Sequence, residues 1–353
     1  MEDHVAGCLI GTAVGDAIGL PYEGLSGRRA QKLLGPPDRY RLIGSFGMVS
    51  DDTEHACMTA ECLLESNFEP IQFEKLLARR LRFWLLRLPA GIGRATLVSI
   101  IRLWLGISPS RSGVNSAGNG PAMRAAILGV CIADRPRLRE FVTISSRITH
   151  SDQRATQGAL AIALAARHSV EHHQLDPERY LDDLHGELDD AEELLQCIEM
   201  ARASAQRGES TCDYVESFNV KRGISGYINE TVPIALHACF AHQDDFQSAV
   251  QNIVACGGDT HTAAAIAGGI LGAAHGIENI PATWQRNLWE WPYSVTWMKA
   301  LSRNVAQNLA GTPHGSLPDR AQRIWFGLML FARNMFFLVV VLYHGFRRLL
   351  PPY

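Results

Sequence analysis

The sequence predicts an all-α fold, a multi-helix globule with short breaks between helices. Three observations carry this. Apolar residues recur at spacings of three and four along nearly the whole chain. No run alternates apolar and polar residues, and no hairpin dipeptide sits between β-branched runs. The breaks carry turn chemistry, as at Gly35-Pro36-Pro37, Pro89-Ala90-Gly91 and the Ser/Gly/Asn-rich stretch 108–121.

In chain order, the first helix is predicted over 3–18. Gly11, Gly15 and Gly19 stand four apart there and leave a smooth stripe that another backbone can approach. The second, over 52–66, is opened by Ser50-Asp51-Asp52, good N-cap material. The third, over 69–88, carries Phe73, Leu77, Leu81, Trp84 and Leu88 on one face. A helix over 119–133 would hold Pro121 at its first position. Periodicity predicts 136–147, and Asp152 or Ser151 caps 153–171. Periodicity again predicts 189–206, 227–241, 244–256 and 294–309. A Gly257-Gly258 turn feeds 260–275 through Asp259 and Thr260. No low-complexity linker divides residues 1–310, which we expect to form one domain, with 311–353 a C-terminal hydrophobic helical extension.

The 353 residues carry 33 Lys and Arg against 36 Asp and Glu, a net charge of −3. That excludes a phosphate-tracking surface as the main theme, so no nucleic-acid partner is expected. A hydrophobic content of 47% with 20% charge excludes global disorder. The eight cysteines include no C-x-x-C pair and lie mostly in apolar helical patterns, which reads as reduced, buried thiols. The first residues carry two acids before any base, unlike a signal peptide, so a cytoplasmic location is expected.

The tail differs from the rest. Phe326–Ala332 and Met335–Tyr343 are apolar blocks separated by Arg333-Asn334, and residues 303–353 contain six Arg and one Asp. The length is near the lower limit for crossing a bilayer, and Arg333 near the middle would be expensive in lipid. Two readings stand: a membrane-associated helix making peripheral contact, or a hydrophobic helix packed on the body or on a second subunit.

Several stretches could carry chemistry, each with a purely structural reading beside it. Asp16, in the Gly11–Gly19 stretch, can cap or brace a neighbouring loop, and Glu23 follows where a loop could aim it into a cleft. In Ser50-Asp51-Asp52-Thr53 one Asp suffices as a cap; the other carries uncompensated charge unless a cation meets it. Hard divalent cations favour such clusters of carboxylate and hydroxyl oxygens. Asp259, His261 and Thr262 either cap the last small-residue helix or form a second ligand loop facing the first. The loop Ser116-Ala117-Gly118-Asn119-Gly120 leads into a helix and is either an ordinary turn or an anion site; without a Lys or a preceding strand it is not a P-loop. His150 sits in the polar cluster Thr149-His150-Ser151-Asp152, as a structural or a pocket residue.

As an ordered set these residues resemble the ADP-ribosylglycohydrolase family. The set is Gly15-Asp16-Ala17-Ile18-Gly19 with Glu23, Ser50–Glu54, Ser116–Arg124, Thr149–Asp152 and Gly257–Ile270. The resemblance implies a compact all-α fold with a binuclear Mg²⁺ or Mn²⁺ centre in a cleft. It implies cleavage of the glycosidic bond joining ADP-ribose to an acceptor, a protein side chain or a small molecule. By motif position it implies Ser50, Asp51 and Asp52 as ligands from the first loop, and Asp259 and Thr262 from the second. It implies Glu23 as a base or a gate. Ser116, Gly118, Asn119 and Gly120 would hold the diphosphate with the helix N-terminus, and His150 would lie near the ribose.

One departure stands out. The family usually has Asp-Thr-Asp-Thr in the second loop, and this chain has Asp259-Thr260-His261-Thr262. His261 is then a ligand that shifts preference towards softer metals, or it leaves the second metal site weak. Alternatively it marks a catalytically impaired ADP-ribose-binding module. In the hydrolase reading, Asp51, Asp52 or Glu23 takes a proton from the attacking water. The acceptor (arginine, serine or a small ester) and the oligomeric state are open.

Overall fold

The computed structural model describes residues 1–218, 223–313, 315 and 319–351. Among them are seventeen α-helices and isolated bridges, with no strand. In order these are α1 (Glu2–Gly19), α2 (Gly27–Leu34), α3 (Asp51–Glu65), α4 (Pro70–Leu85), α5 (Arg94–Trp104), α6 (Ala126–Cys131), α7 (Arg135–Thr149), α8 (Gln153–His172), α9 (Pro177–Glu187), α10 (Glu192–Gln206), α11 (Thr211–Glu216), α12 (Ile228–Ala241), α13 (Phe246–Cys256), α14 (Thr260–His275), α15 (Ala282–Asn287), α16 (Val295–Leu309) and α17 (Arg320–Arg347).

Two helices without bulky faces form the centre. α1 and α14 run antiparallel and are buried almost throughout. A Cβ on Gly11 would stand 2.1 Å from the Gly268 carbonyl oxygen, and one on Gly15 would stand 2.1 Å from that of Ala264. The glycine stripe therefore serves backbone contact, and α3, α8, α12 and α16 pack around the pair. The antiparallel register sets the end of α1 against the start of α14, where Thr260 Oγ1 donates to the Gly19 carbonyl at 2.9 Å. α3 begins at the same place. Two helix N-termini and one C-terminus thus converge on one point.

Helices α2, α5, α9, α11 and α15 escaped the periodicity. They have six to eleven residues and bury few side chains each, so each offers little apolar pattern. The helix expected over 119–133 is shorter. Residues 119–121 form a loop, 122–124 a 3₁₀ turn, and only Ala126–Cys131 is α-helical. The cause is Arg124, which is drawn wholly inside. Its Nε donates to Ser145 Oγ at 2.9 Å, its Nη2 to Thr149 Oγ1 at 2.7 Å, and its Nη1 to the Gly120 carbonyl at 3.1 Å. The helix N-terminus expected after the Ser116–Gly120 loop is therefore reduced to a single tight turn. All eight cysteines are unpaired, and five are buried.

The tail forms one helix, α17, laid along the body. Leu330, Arg333, Asn334 and Phe337 are buried beneath it, while its outer face is exposed.

Candidate active site

The first loop is held by Asp16. This buried carboxylate accepts from Ser50 N and Ser50 Oγ, both at 2.8 Å, from Thr53 Oγ1 at 2.6 Å and from Thr53 N at 3.3 Å. It braces the start of α3, where a carboxylate also complements the helix dipole. Ser50 is the N-cap, and its Oγ accepts from Asp52 N at 3.4 Å. Asp51 and Asp52 follow in the first turn and face inward. Burial and the adjacent Asp52 push the Asp51 carboxyl well above the usual range. Burial also raises Asp52, against the pull of His261.

The second loop meets the first through His261. Its Nε2 lies 3.2 Å from Asp52 Oδ2, and its Nδ1 lies 3.4 Å from Asp259 Oδ1 and 3.6 Å from Glu23 Oε2. Burial works against a proton on this ring, but the three carboxylates together prevail and hold its pKa well above 6.5. Thr262 Oγ1 donates to Asp52 Oδ2 at 3.3 Å. Glu23 is half-exposed at the rim. Asp259 stands at the N-cap position but makes no cap hydrogen bond; its Oδ2 accepts instead from Asn119 Nδ2 at 2.7 Å. Asn119 thereby ties the Ser116–Gly120 loop to the second loop.

That loop wraps the imidazole of His150. A Cβ on Gly120 would stand 2.9 Å from the ring and one on Gly118 3.2 Å, so both glycines permit close approach. Nδ1 of His150 contacts Thr149 Oγ1 at 2.9 Å, and burial with the nearby Arg124 pushes its pKa down to about 3. His150 is therefore neutral at pH 7. Burial likewise lowers Arg124, to about 10.

The motifs gave no sign of a third layer. Arg333 of α17 makes a bidentate pair with Glu290, Nε–Oε1 at 2.9 Å and Nη2–Oε2 at 2.6 Å, and its Nη2 donates to the Val49 carbonyl at 2.5 Å. Val49 N donates to Glu290 Oε2 at 3.1 Å. The residue before Ser50 is thus clamped on both sides. Arg333 also lies 3.5 Å from Glu54, whose carboxyl burial raises to about 7 despite that cation. At the far end of α17, Arg348 donates to the carbonyls of Glu23 at 2.9 Å and Pro21 at 2.8 Å. The only advance signal was the oddity of Arg333 itself, a charge in the middle of an apolar segment.

The donor set fits a divalent cation. Ligand atoms of Asp51, Asp52 and His261 all lie within 4.8 Å of one another. Asp52 Oδ1 is buried without a hydrogen-bond partner, and Asp259 Oδ1 and His261 Nδ1 face each other at 3.4 Å without forming a hydrogen bond. Buried polar atoms are rarely left so, and here they share one small volume.

Comparison with known proteins gives the family. The sequence profile described as ADP-ribosylglycohydrolase matches residues 1–314. An uncharacterized protein of Archaeoglobus fulgidus is 33% identical over 82% of this chain and 92% of its own length. ADP-ribosylhydrolase ARH3 of Homo sapiens is 26% identical over 80% of this chain and 88% of its own. The ADP-ribosyl-[dinitrogen reductase] glycohydrolase of Rhodospirillum rubrum is 24% identical over 82% and 91%. A solved structure titled ADP-ribosylglycohydrolase-related protein complex superposes with a TM-score of 0.60 and 27% identity, covering 85% of this chain and 96% of that one. The chain belongs to the ADP-ribosylglycohydrolase family.

Proposed function

We propose that this protein is a metal-dependent hydrolase that cleaves the glycosidic bond between ADP-ribose and an acceptor, a protein side chain or a small molecule. The names of its relatives point to the bond. The observation that carries the reading is the charge balance of the site. Asp16, Asp51, Asp52, Asp259 and Glu23 surround a single imidazole, and orphaned polar atoms lie among them. Buried carboxylates in such excess call for a cation.

Asp51, Asp52 and His261 would hold the first divalent ion, Mn²⁺ or Mg²⁺. Ser50, Asp259 and Thr262 offer further oxygens for a second. Such ions supply positive charge that orients hydroxyls and favours ionisation of water. The chain's own residues do the rest. Backbone and side-chain donors of Ser116–Gly120 receive the diphosphate. His150, neutral and packed against that loop, presents an uncharged edge to the ribose. Glu23, half-exposed at the rim, can take a proton from the attacking water, with Asp51 or Asp52 as the inner alternatives. The carboxylates stabilise an oxocarbenium-like transition state.

One observation favours a second reading, a module that binds ADP-ribose without turning it over. His261 already offers a cationic partner to Asp52, Asp259 and Glu23. Release of ADP-ribose from arginine-linked, serine-linked and ester-linked substrates separates the two. The hydrolase reading expects release that EDTA stops and that Asp52→Asn abolishes. ADP-ribose binding with no release from any of them would establish the module instead.

A further inference from the structure

We infer that the face formed by α4, α5 and α17 docks on an anionic lipid bilayer. Two segments of the chain contain no acidic residue, 75–133 and 320–353. Together they hold 14 basic residues, while the remainder holds 19 basic and 36 acidic. Of those in the two segments, Arg124 and Arg333 are buried and Arg80 and Arg323 pair with Glu61 and Glu65, which leaves Arg79, Arg82, Arg87, Arg320 and Arg347 to make the outer face positive. The same segments carry 19 of the 25 large hydrophobic side chains exposed among the described residues. Single exposed apolar residues are ordinary, but this concentration is not.

Residues 122–132 are buried, and the exposed parts of the two segments on α4, α5 and α17 form one surface. The exposed residues of α17 recur at helical spacing along it, from Trp325 and Leu328 to Val339, Leu342 and Phe346. At 28 residues the stripe is about 42 Å long. Beside its first half a groove of about 710 Å³ separates α17 from α4, lined by Phe83, Phe326 and Leu328; Glu61 and Glu65 also line it but pair with Arg80 and Arg323, and Arg79, Arg87 and Arg320 add net positive charge. Among the described residues these three arginines form no ion pair. Across α4 the surface continues to α5, where Trp104 meets Phe83 edge-on at 5.9 Å under the guanidinium of Arg82.

Charge selects the occupant. A second copy would set two positive faces against each other, which is unfavourable. Nucleic acid would match the charge but leave the long apolar stripe uncovered. An acidic bilayer matches both, with the stripe in the acyl boundary and the arginines among the headgroups. The helix lies on the membrane and does not cross it, because Arg333 and Asn334 on its inner face are committed to Glu290 and Arg87 of the body. Its grip on Val49 and on the Glu23 loop links the docked face to the site.

The test is co-sedimentation of the full chain with phosphatidylcholine vesicles, with and without phosphatidylserine, at low and high salt. Binding should require phosphatidylserine and weaken with salt. The double variant Leu342→Glu/Phe346→Glu should lose about tenfold or more of that binding while keeping its melting temperature. The melting temperature reports folding whether or not the protein proves to be a hydrolase. Equal binding to neutral vesicles, no binding to either, or an unaffected double variant would overturn the inference. So would a dimer in vesicle-free sedimentation that the double variant dissociates, or competition by duplex DNA.

Discussion

Replacing Arg333 by Met tests whether α17 is structurally part of the site. The guanidinium is 1% exposed and its partners Glu290 and Glu54 are 0% and 2% exposed, so no water can replace it. Methionine keeps the contact with the Phe337 ring, which the guanidinium now covers at 4.4 Å. It removes the bidentate pair and the tether to Val49. Breaking a buried pair from one side costs about 3–5 kcal/mol. Glu54 softens this, because its pKa is already about 7 and the loss of Arg333 raises it further, so it takes a proton at neutral pH. Glu290 keeps hydrogen bonds from Val49 N and Trp291 N. We therefore expect a loss near 3 kcal/mol, about the lower end of that range. Urea unfolding followed by tryptophan fluorescence should show a lower midpoint with an unchanged slope. The double variant Arg333→Met/Glu290→Gln removes both charges and should recover half of the loss or more. A single variant within about 1 kcal/mol of the parent, or a double variant no better than the single, would refute the reasoning.

Three further outcomes are expected. His261→Asp adds a carboxylate beside Asp52, Asp259 and Glu23, so the metal-free protein should melt lower while Mg²⁺ affinity rises about tenfold; a fall in Mg²⁺ affinity by calorimetry would show that the imidazole itself is the needed ligand. Gly120→Ala drives a methyl to 2.9 Å from the His150 ring, and thermal melting should register about 1–3 kcal/mol together with weaker ADP-ribose binding, whereas unchanged values would mean that the loop yields freely. His237 is buried, stacked on Tyr214 at 5.0 Å, with both ring nitrogens 3.2 Å from hydroxyls, and burial holds its pKa down to about 4. Its unfolded form takes a proton first, near 6.5, so this stability is present above pH 6.5 and is lost as pH falls towards 4, up to about 3 kcal/mol. The pH dependence of His237→Gln should be flatter over that window, and parallel curves would remove His237 as the cause.

Much of this architecture was legible in the residues. The glycines four apart in α1 announced a backbone contact, and the partner proved to be the small-residue helix α14. The two polar loops each open a helix, the first through the Ser50 cap and the second with no side-chain cap at Asp259, and they meet because α1 and α14 run antiparallel. What escaped was long-range polar pairing. Arg124 shortens the helix expected over 119–133 by turning inward to Ser145 and Thr149, a choice that depends on α7 and not on local propensity. Arg333 looked like an obstacle in an apolar run, because its partner Glu290 lies 43 positions away with no periodic pattern around it. Asn119 and Asp259 were each singled out, but their hydrogen bond across 140 positions had no sequence signal. Short helices such as α11 and α15 bury too few side chains to write a period.

Asp51, Asp52 and His261 are expected to form a cation site that works with bound ADP-ribose. Isothermal titration of the metal-stripped protein with Mn²⁺ and Mg²⁺, repeated with ADP-ribose present, tests it most directly. The expected result is cation binding that ADP-ribose strengthens and that Asp52→Asn removes. ADP-ribose binding in the absence of any cation binding would contradict it and leave the imidazole of His261 as the partner of the carboxylates.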